Sequence, residues 1–130
     1  MIVDSSAIIA ILGSEAEGDT MERAIAAAPS RSLSAANYIE TGIVIDGRSN
    51  ATLSRGFDEF LQLMGIRIEP VSTKQARIAR EAYRDYGKGR HRAGLNFGDC
   101  FAYALAKEMG EPLLFKGDDF RQTDVEVAEY

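Results

Sequence analysis

Several acidic residues of this sequence stand where carboxylates could act together. Asp4 directly follows the apolar residues 1–3, and Asp118 and Asp119 closely follow the apolar residues 113–115. Both apolar stretches have the length and composition of short buried strands. Parallel strands end at the same edge of a sheet, which is where open α/β sheets form their sites. We therefore expect acids from opposite ends of the chain to converge.

Two further acids, Glu40 and Asp99, lie in apolar surroundings. Glu40 is the only charged residue between positions 33 and 45, in a predicted helix that is apolar nearly all round. Such a helix is expected to be buried, and a lone buried carboxylate is costly unless it is paired or metal-bound. Asp99 lies in the first turn of another predicted helix, between the small residues Gly98 and Cys100. These small neighbours would let a second backbone or a ligand approach closely.

Each acid also has an ordinary structural interpretation. Asp4 fits the cap of the first helix, and Asp99 fits a capping box with Asn96. Residues 118–119 fit turn chemistry, and Glu40 fits a buried ion pair with an arginine. All of these interpretations would have to hold together, and they leave the convergence of the acids unexplained.

A set of carboxylates without histidine or cysteine partners suits a hard cation such as Mg²⁺ or Mn²⁺. A divalent ion of this kind lowers the pKa of a bound water and stabilises the charge that develops on a phosphorane. The acids therefore predict hydrolysis of a phosphodiester.

The charge distribution points to a polyanionic substrate. The 130 residues carry a net charge of −5, which alone argues against a nucleic-acid partner. Residues 74–92, however, hold seven bases and two acids, whereas the rest of the chain holds eight bases and eighteen acids. This basic segment would hold backbone phosphates beside the acids, with salt-dependent binding. The predicted substrate contacts within it are Arg84, Lys88, Arg90 and Arg92.

Short strands that alternate with helices must position these side chains. Strands are predicted near residues 1–3, 31–33, 66–71 and 112–115, with an edge strand at 125–127. Helices are predicted over residues 7–12, 14–28, 34–44, 51–64, 73–86 and 97–109, the second opened by a capping box of Ser14 and Glu17. Residues 87–94 contain three glycines and are expected to form a mobile basic loop. The pattern predicts one α/β domain over residues 1–130, with a mostly parallel sheet.

The composition excludes several other classes of protein. A hydrophobic content of 45% excludes disorder, and no apolar run reaches the roughly 18 residues of a membrane span. The start of the chain lacks the basic region and cleavage site of a signal peptide. The single Cys100 allows neither an intramolecular disulfide nor a Cys-rich zinc site, which favours a cytoplasmic setting. Neither Cys100 nor the lone His91 is assigned a catalytic role.

Four blocks of the sequence resemble the PIN-domain ribonucleases of the VapC toxin family. They are residues 1–7 around Asp4, 38–40 ending in Glu40, 95–106 around Asp99 and 113–120 around Asp118. The third block is the most specific, and the four occur in order over essentially the whole chain. The resemblance implies a PIN-like three-layer sandwich, with a short central sheet flanked by helices.

The resemblance also implies an activity and its partners. It implies an endoribonuclease toxin of a type II toxin–antitoxin pair that uses Mg²⁺, with Mn²⁺ as a substitute. The implied partners are an RNA substrate and a cognate antitoxin, in a homodimer and a toxin–antitoxin hetero-oligomer, without a membrane.

Residue by residue, the resemblance implies that the catalytic and metal-binding residues are Asp4, Glu40, Asp99 and Asp118. Asp4 and Asp99 correspond to direct metal ligands, and Glu40 binds the metal or positions a water. Asp119 competes with Asp118 for the fourth position, because the alignment can shift by one residue. Ser6 matches the small hydroxyl that hydrogen-bonds the acids in this family, or it is a simple helix cap.

Other functional classes fit less well. A phospho-acceptor receiver domain needs an aspartate at the end of a central strand, where residues 66–71 offer only Glu69. A haloacid-dehalogenase-type phosphatase needs an aspartate two residues after Asp4, where Ser6 stands. The alternative left open is a catalytically silent PIN-fold module that binds RNA or an antitoxin.

Overall fold

Four short parallel strands form the centre of the protein in the computed structural model, which describes all 130 residues. The strands are β1 (Ile2–Val3), β2 (Ser32–Ser34), β3 (Arg67–Glu69) and β4 (Leu113–Leu114), in the order β3-β2-β1-β4. Ile2 of β1 pairs with Ser32 on one side and with Leu113 on the other. The predicted parallel sheet is confirmed, and β1 and β4 end side by side.

Helices cover both faces of this sheet. They are α1 (Ser5–Leu12), α2 (Gly18–Ala27), α3 (Ala35–Asp46), α4 (Ala51–Leu63), α5 (Thr73–Tyr86) and α6 (Phe97–Met109), followed by a 3₁₀ helix (Asp119–Gln122). Ile2 and Leu113 belong to the hydrophobic cluster beneath α5 and α6, whereas Val3 and Leu114 belong to the cluster beneath α1, α2 and α4. Successive residues of a strand point to opposite faces, so β1 and β4 each supply both clusters. The predicted three-layer α/β arrangement is confirmed.

Side-chain caps set the start of α1, α3 and α6, the three helices that begin at or contain the predicted site acids Asp4, Glu40 and Asp99. Asp4 accepts a hydrogen bond from the backbone N–H of Ser6 at the start of α1. Ser34 caps α3 and Asn96 caps α6 in the same way. Because a cap satisfies backbone donors that would otherwise lack partners, each of these helices begins at a defined residue near the end of a strand or loop.

The structure corrects two local predictions. The capping box of Ser14 and Glu17 does not form: Ser14 has a φ of 53°, and α2 begins at Gly18 without a side-chain cap. The chain between α1 and α2 turns tightly here, which leaves Ser14 outside the helix. The expected edge strand at residues 125–127 is reduced to a single bridge between Leu113 and Val127.

The sequence predicted that the apolar helix α3 is buried on all sides. The structure shows that it is not. Ile39 and Ile43 are 60% and 68% exposed. They line a small cavity together with Phe97 and Phe101 of α6, whereas Asn37, Thr41 and Ile45 face the interior.

The glycine-rich segment 87–94 is held in a closed turn, in contrast to the mobile loop that we predicted. Lys88 N donates to Leu95 O at 2.9 Å, and Leu95 N donates to Tyr86 O at 2.9 Å. Ala93 near the end of the segment is buried. The basic side chains of this loop therefore project from a defined backbone.

None of the helices combines the length and the apolar character that a membrane crossing would need.

Candidate active site

Asp4 is the only carboxylate among the buried residues, with 3% of its surface exposed at the end of β1. Its Oδ2 accepts hydrogen bonds from Ser6 N at 2.9 Å and from Ser6 Oγ at 2.5 Å. Its Oδ1 is buried and has no hydrogen-bond partner. Burial raises the pKa of Asp4, against the hydrogen bonds from Ser6, and the nearby charge of Glu40 raises it further. A buried carboxylate oxygen without a donor is costly, and a cation at Oδ1 would compensate it.

Glu40 reaches the same place from α3. Its Oε1 accepts hydrogen bonds from Ser5 Oγ at 2.5 Å and from Asn37 Nδ2 at 3.3 Å. Asn37 Nδ2 also donates to Gly98 O at 3.0 Å and so ties α3 to the first turn of α6. A Cβ atom at position 98 would lie 2.7 Å from Glu40 Oε1 and closer still to Oε2. The approach of Glu40 therefore requires glycine at position 98, in agreement with the close approach predicted there.

Asp99 forms the capping box that was its ordinary structural interpretation. Asp99 N donates to Asn96 Oδ1, and Asn96 N donates to Asp99 Oδ2, both at 2.9 Å. The box uses one carboxylate oxygen and leaves Oδ1 without a hydrogen bond from the protein. Burial raises the pKa of Asp99 to about 7, against the capping hydrogen bond, and the charges of Asp4, Glu40 and Asp119 contribute to the rise. The Asp99 carboxylate therefore caps α6 and also lies among the other acids.

The fourth acid near this point is Asp119. Its charge contributes to the raised pKa of Asp99. The side chain of Asp118 is 90% exposed and lies 3.9 Å from Arg121 Nε. This placement favours Asp119 over the predicted Asp118 as the fourth acid. The sequence had left these two residues as competitors, because the alignment can shift by one residue. We refer to Asp4, Glu40, Asp99 and Asp119 as the acid cluster.

Ser6 connects the acid cluster to the chain that follows β4. Its Oγ donates to Asp4 Oδ2 and accepts from Lys116 N at 3.0 Å. The side chain of Lys116 pairs instead with Glu15 and lies 3.6 Å from Glu17. The hydroxyl therefore orients Asp4, while the nearest lysine is held elsewhere.

The acid cluster has no compensating positive charge within the protein. None of its four members takes part in an ion pair, so the buried Glu–Arg pair considered for Glu40 does not form. The carboxylates are not gathered tightly enough for three or more to hold one metal ion as they stand. The donor set nevertheless fits a divalent cation, because Asp4 Oδ1 is buried without a partner and all the donors are carboxylate oxygens, as Mg²⁺ and Mn²⁺ prefer.

Two positioning residues, Ser5 and Asn37, were not predicted from the sequence. Both are buried, and both hydrogen-bond Glu40. The spacing of Asn37 three residues before Glu40 places the two on one face of a helix. A polar residue three positions before Glu40, in a mostly apolar helix, could have indicated Asn37 as a partner of Glu40.

The predicted substrate contacts occupy two adjoining cavities beside α5. Arg84 and Arg90 line a polar cavity of about 580 Å³, and Lys88 lines a mostly apolar cavity of about 600 Å³. Arg92 is exposed but lines neither cavity. Three of the four predicted cations are therefore arranged along one side of the protein.

His91 and Cys100 have structural surroundings. His91 Nδ1 accepts a hydrogen bond from Ala93 N at 3.1 Å, and its ring packs edge-on against Tyr86. Cys100 is buried, and burial raises the pKa of its thiol to about 11. A thiol with such a pKa is not a ready nucleophile at neutral pH.

Comparison of the sequence with known proteins identifies a family. Residues 1–126 match the PIN domain family. The chain is 52% identical to a protein named ribonuclease VapC from Mycolicibacterium smegmatis, over 96% of this chain and 97% of the relative. It is also 52% identical to ribonuclease VapC28 from Mycobacterium tuberculosis, over 98% of this chain and 97% of the relative.

Comparison with solved structures supports the same fold. The sarcin-ricin loop cleaving toxin VapC20 from Mycobacterium tuberculosis superposes with a TM-score of 0.76 at 18% identity, over 95% of each chain. A chain of a toxin-antitoxin complex from Klebsiella pneumoniae superposes with a TM-score of 0.71 at 18% identity, over 99% of this chain and 97% of the other. At this level of identity, the superpositions establish the shared fold.

Proposed function

The chain belongs to the PIN-domain family and, within it, to the VapC ribonucleases, and we propose that it is a metal-dependent endoribonuclease, the toxin of a type II toxin–antitoxin pair. The acid cluster carries this proposal. Asp4 at the end of β1, Glu40 on α3 and Asp119 after β4 lie near enough to Asp99 on α6 for their charges to contribute to its raised pKa. None of the four forms an ion pair, and one buried oxygen of Asp4 has no partner. Such an arrangement is stable only with protons or cations bound to it.

The proposed metal ligands are Asp4, through its unpaired Oδ1, and Asp99, through the oxygen that the capping box leaves free. When bound, Mg²⁺ or Mn²⁺ supplies a water of lowered pKa and stabilises charge on the phosphoryl oxygens. Asp119 supplies further negative charge beside Asp99. The predicted role of Asp118 stays an alternative for the fourth position.

Three uncharged side chains hold these carboxylates in place. Ser6 donates to Asp4 Oδ2 and so keeps Oδ1 directed toward the cluster. Ser5 and Asn37 anchor Oε1 of Glu40. Since Oε2 of Glu40 makes no hydrogen bond within the protein, it is available to accept a proton or to orient the attacking water.

The proposed substrate and partners are based on the family and on the positive charge of α5 and residues 87–94. We propose that RNA phosphates contact Arg84, Lys88, Arg90 and Arg92, beside the acid cluster. We also propose a cognate antitoxin, a homodimer, a hetero-oligomer of toxin and antitoxin, and a cytoplasmic location. One of the superposed structures is itself a toxin-antitoxin complex, which supports the antitoxin.

A cleavage assay tests the proposal. The purified protein is incubated with RNA in Mg²⁺, in Mn²⁺ and in EDTA, beside the variants Asp4→Asn and Asp99→Asn. We expect cleavage only with the metals and only by the unsubstituted protein. The control is Asp46→Asn, which changes an exposed acid at the end of α3 and should keep full activity. Cleavage by both Asp4→Asn and Asp99→Asn would reject the assignment, and RNA binding without cleavage by any form would favour the catalytically silent module.

A further inference from the structure

Phe97 exposes most of its ring beside the acid cluster. It is the first residue of α6, two residues before Asp99, and 78% of it is exposed. Its ring packs at 80° against Phe101, with 4.8 Å between the ring centroids. The remaining ring surface is free to contact a ligand.

The cavity of about 600 Å³ between α5 and α6 offers both aromatic surface and positive charge. Phe97, Phe101 and Tyr83 contribute rings to it, and Arg80 and Lys88 contribute cations. Neither Arg80 nor Lys88 forms an ion pair. The cavity therefore suits a ligand that is flat and apolar on one part and anionic on another.

This cavity lies between the acids and the arginines of α5. Arg80 and Tyr83 also line the adjoining polar cavity of about 580 Å³, where Arg77, Arg84 and Arg90 outnumber the single acid Glu81. On the opposite side, Phe97 borders a smaller cavity of about 290 Å³ that Glu40 and Gly98 line. A chain running from the acid cluster to the arginines would pass over Phe97.

We propose that the cavity between Phe97 and Tyr83 binds one unpaired base of the RNA, stacked on Phe97, next to the phosphodiester that is cut. Arg80 and Lys88 then contact the phosphate of that nucleotide, and Arg77, Arg84 and Arg90 contact the phosphates that follow. This inference rests on the proposed function, and it specifies single-stranded RNA as the substrate class. Bases stack on exposed aromatic rings with little dependence on sequence, and they are accessible only where the RNA is unpaired.

The charges favour a nucleotide over an apolar protein segment in this cavity. A second copy of the chain or an apolar peptide would bury Arg80 and Lys88 without a counter-charge, which is costly. A nucleotide supplies a base for the rings and a phosphate for the two cations. The cavity on the other side of Phe97, beside Ile39 and Ile43 of α3, has Glu40 as its only charged lining residue and so offers no cation to a phosphate.

Binding measurements test the inference without relying on cleavage. The probe is a fluorescent single-stranded RNA of mixed sequence and about ten nucleotides, a length that spans several stacking positions, with duplex RNA of the same sequence beside it. The proteins are the unsubstituted chain, Phe97→Leu and Phe97→Trp, all in EDTA. Leu63→Ala is the matched control, because Leu63 is 81% exposed on α4, away from the cavity.

We expect Phe97→Leu to weaken binding of the single strand by about tenfold, Phe97→Trp to retain it, and duplex binding to stay unchanged in both. Leu63→Ala should bind both RNAs like the unsubstituted chain. Equal single-strand affinity of Phe97→Leu and the unsubstituted chain would overturn the inference. A change of oligomeric state in Phe97→Leu without a change of RNA affinity would also overturn it, because Phe97 would then belong to a protein interface.

The base site and the nuclease activity can fail separately. If the protein cleaves RNA and its RNA affinity does not depend on Phe97, only the base site is rejected. If RNA binding depends on Phe97 and no cleavage occurs, only the nuclease activity is rejected.

Discussion

The carboxylate of Glu40 occupies the space that a Cβ atom of residue 98 would need. Gly98 belongs to α6 and Glu40 to α3, so this contact joins two helices that carry different acids. The carbonyl oxygen of Gly98 also accepts a hydrogen bond from Asn37 Nδ2. The position of Glu40 relative to Asp99 therefore depends on a residue that has no side chain.

Gly98→Ala should displace Glu40 and lower the rate of RNA cleavage by about 100-fold, the cost of a misplacement of about 1 Å in a catalytic group. Alanine is the better helix former by about 1 kcal/mol, so a loss of activity would come from the displaced carboxylate. Cleavage rates and thermal unfolding measure the two effects. Gly56→Ala is the control, since a Cβ atom there meets nothing within 4 Å of its position in α4. An active Gly98→Ala variant would contradict the positioning of Glu40.

Ser6→Ala should destabilise the protein by about 2 kcal/mol, because it removes a hydrogen bond to the charged Asp4 and the acceptor of Lys116 N. Urea unfolding measures this loss. Ser6→Thr keeps the hydroxyl and is expected to recover most of the stability. If Ser6→Ala unfolds at the same urea concentration as the unsubstituted protein, the hydrogen bonds of Ser6 Oγ to Asp4 and Lys116 do not contribute to the free energy of unfolding.

The metal-free protein should lose stability as the pH rises from about 4 to about 7. The pKa of Asp99 is raised to about 7 by burial and by its acidic neighbours, so the folded state holds a proton in this range that the unfolded state has released. The free energy of unfolding falls with rising pH wherever the folded state binds more protons. The raised pKa of Asp4 acts in the same direction. Urea unfolding in EDTA at several pH values checks the trend, and Asp99→Asn should flatten it; an equally steep dependence in that variant would assign the effect to other groups.

Mg²⁺ should raise the stability at pH 8, by about 2.7 kcal/mol at 100 times its dissociation constant. Asp4→Asn should abolish this gain, since Asp4 Oδ1 is the proposed ligand. Thermal unfolding with and without the ion measures it. Asp119→Asn and Asp118→Asn form a matched pair: the first should reduce the gain and the second should not. The reverse result would restore Asp118 as the fourth acid.

Much of the fold follows from local sequence signals. Helices α5 and α6 begin and end at the predicted residues because each has a polar cap, a clear 3.6-residue periodicity and a glycine directly after its end. The parallel sheet follows from the alternation of short apolar strands with these helices. The position of Asp4 at the end of a buried strand agrees with the sequence. A close approach at Gly98 was also expected, although from a second backbone or a ligand and not from the side chain of Glu40.

The remaining features depend on contacts that periodicity does not describe. Ser14 fits a capping box by sequence, yet the tight turn after α1 holds it outside the helix. The apolar residues Ile39 and Ile43 predict burial, but no other part of the chain covers them. Whether Asp118 or Asp119 faces Asp99 depends on the path of one turn after β4, which neither spacing nor composition determines.

The central position of β1 has a consequence for the synthesis of the protein. Asp4 is held by Leu114 O through its backbone N–H and by Ser6, which in turn binds Lys116 N. Leu114 and Lys116 are translated more than a hundred residues after Asp4 and Ser6, so a nascent chain carries Asp4 and Glu40 long before it has the strand that fixes their arrangement. The ribosome that makes this nuclease therefore finishes nearly the whole chain before the acid cluster exists, and chains interrupted before β4 lack it altogether.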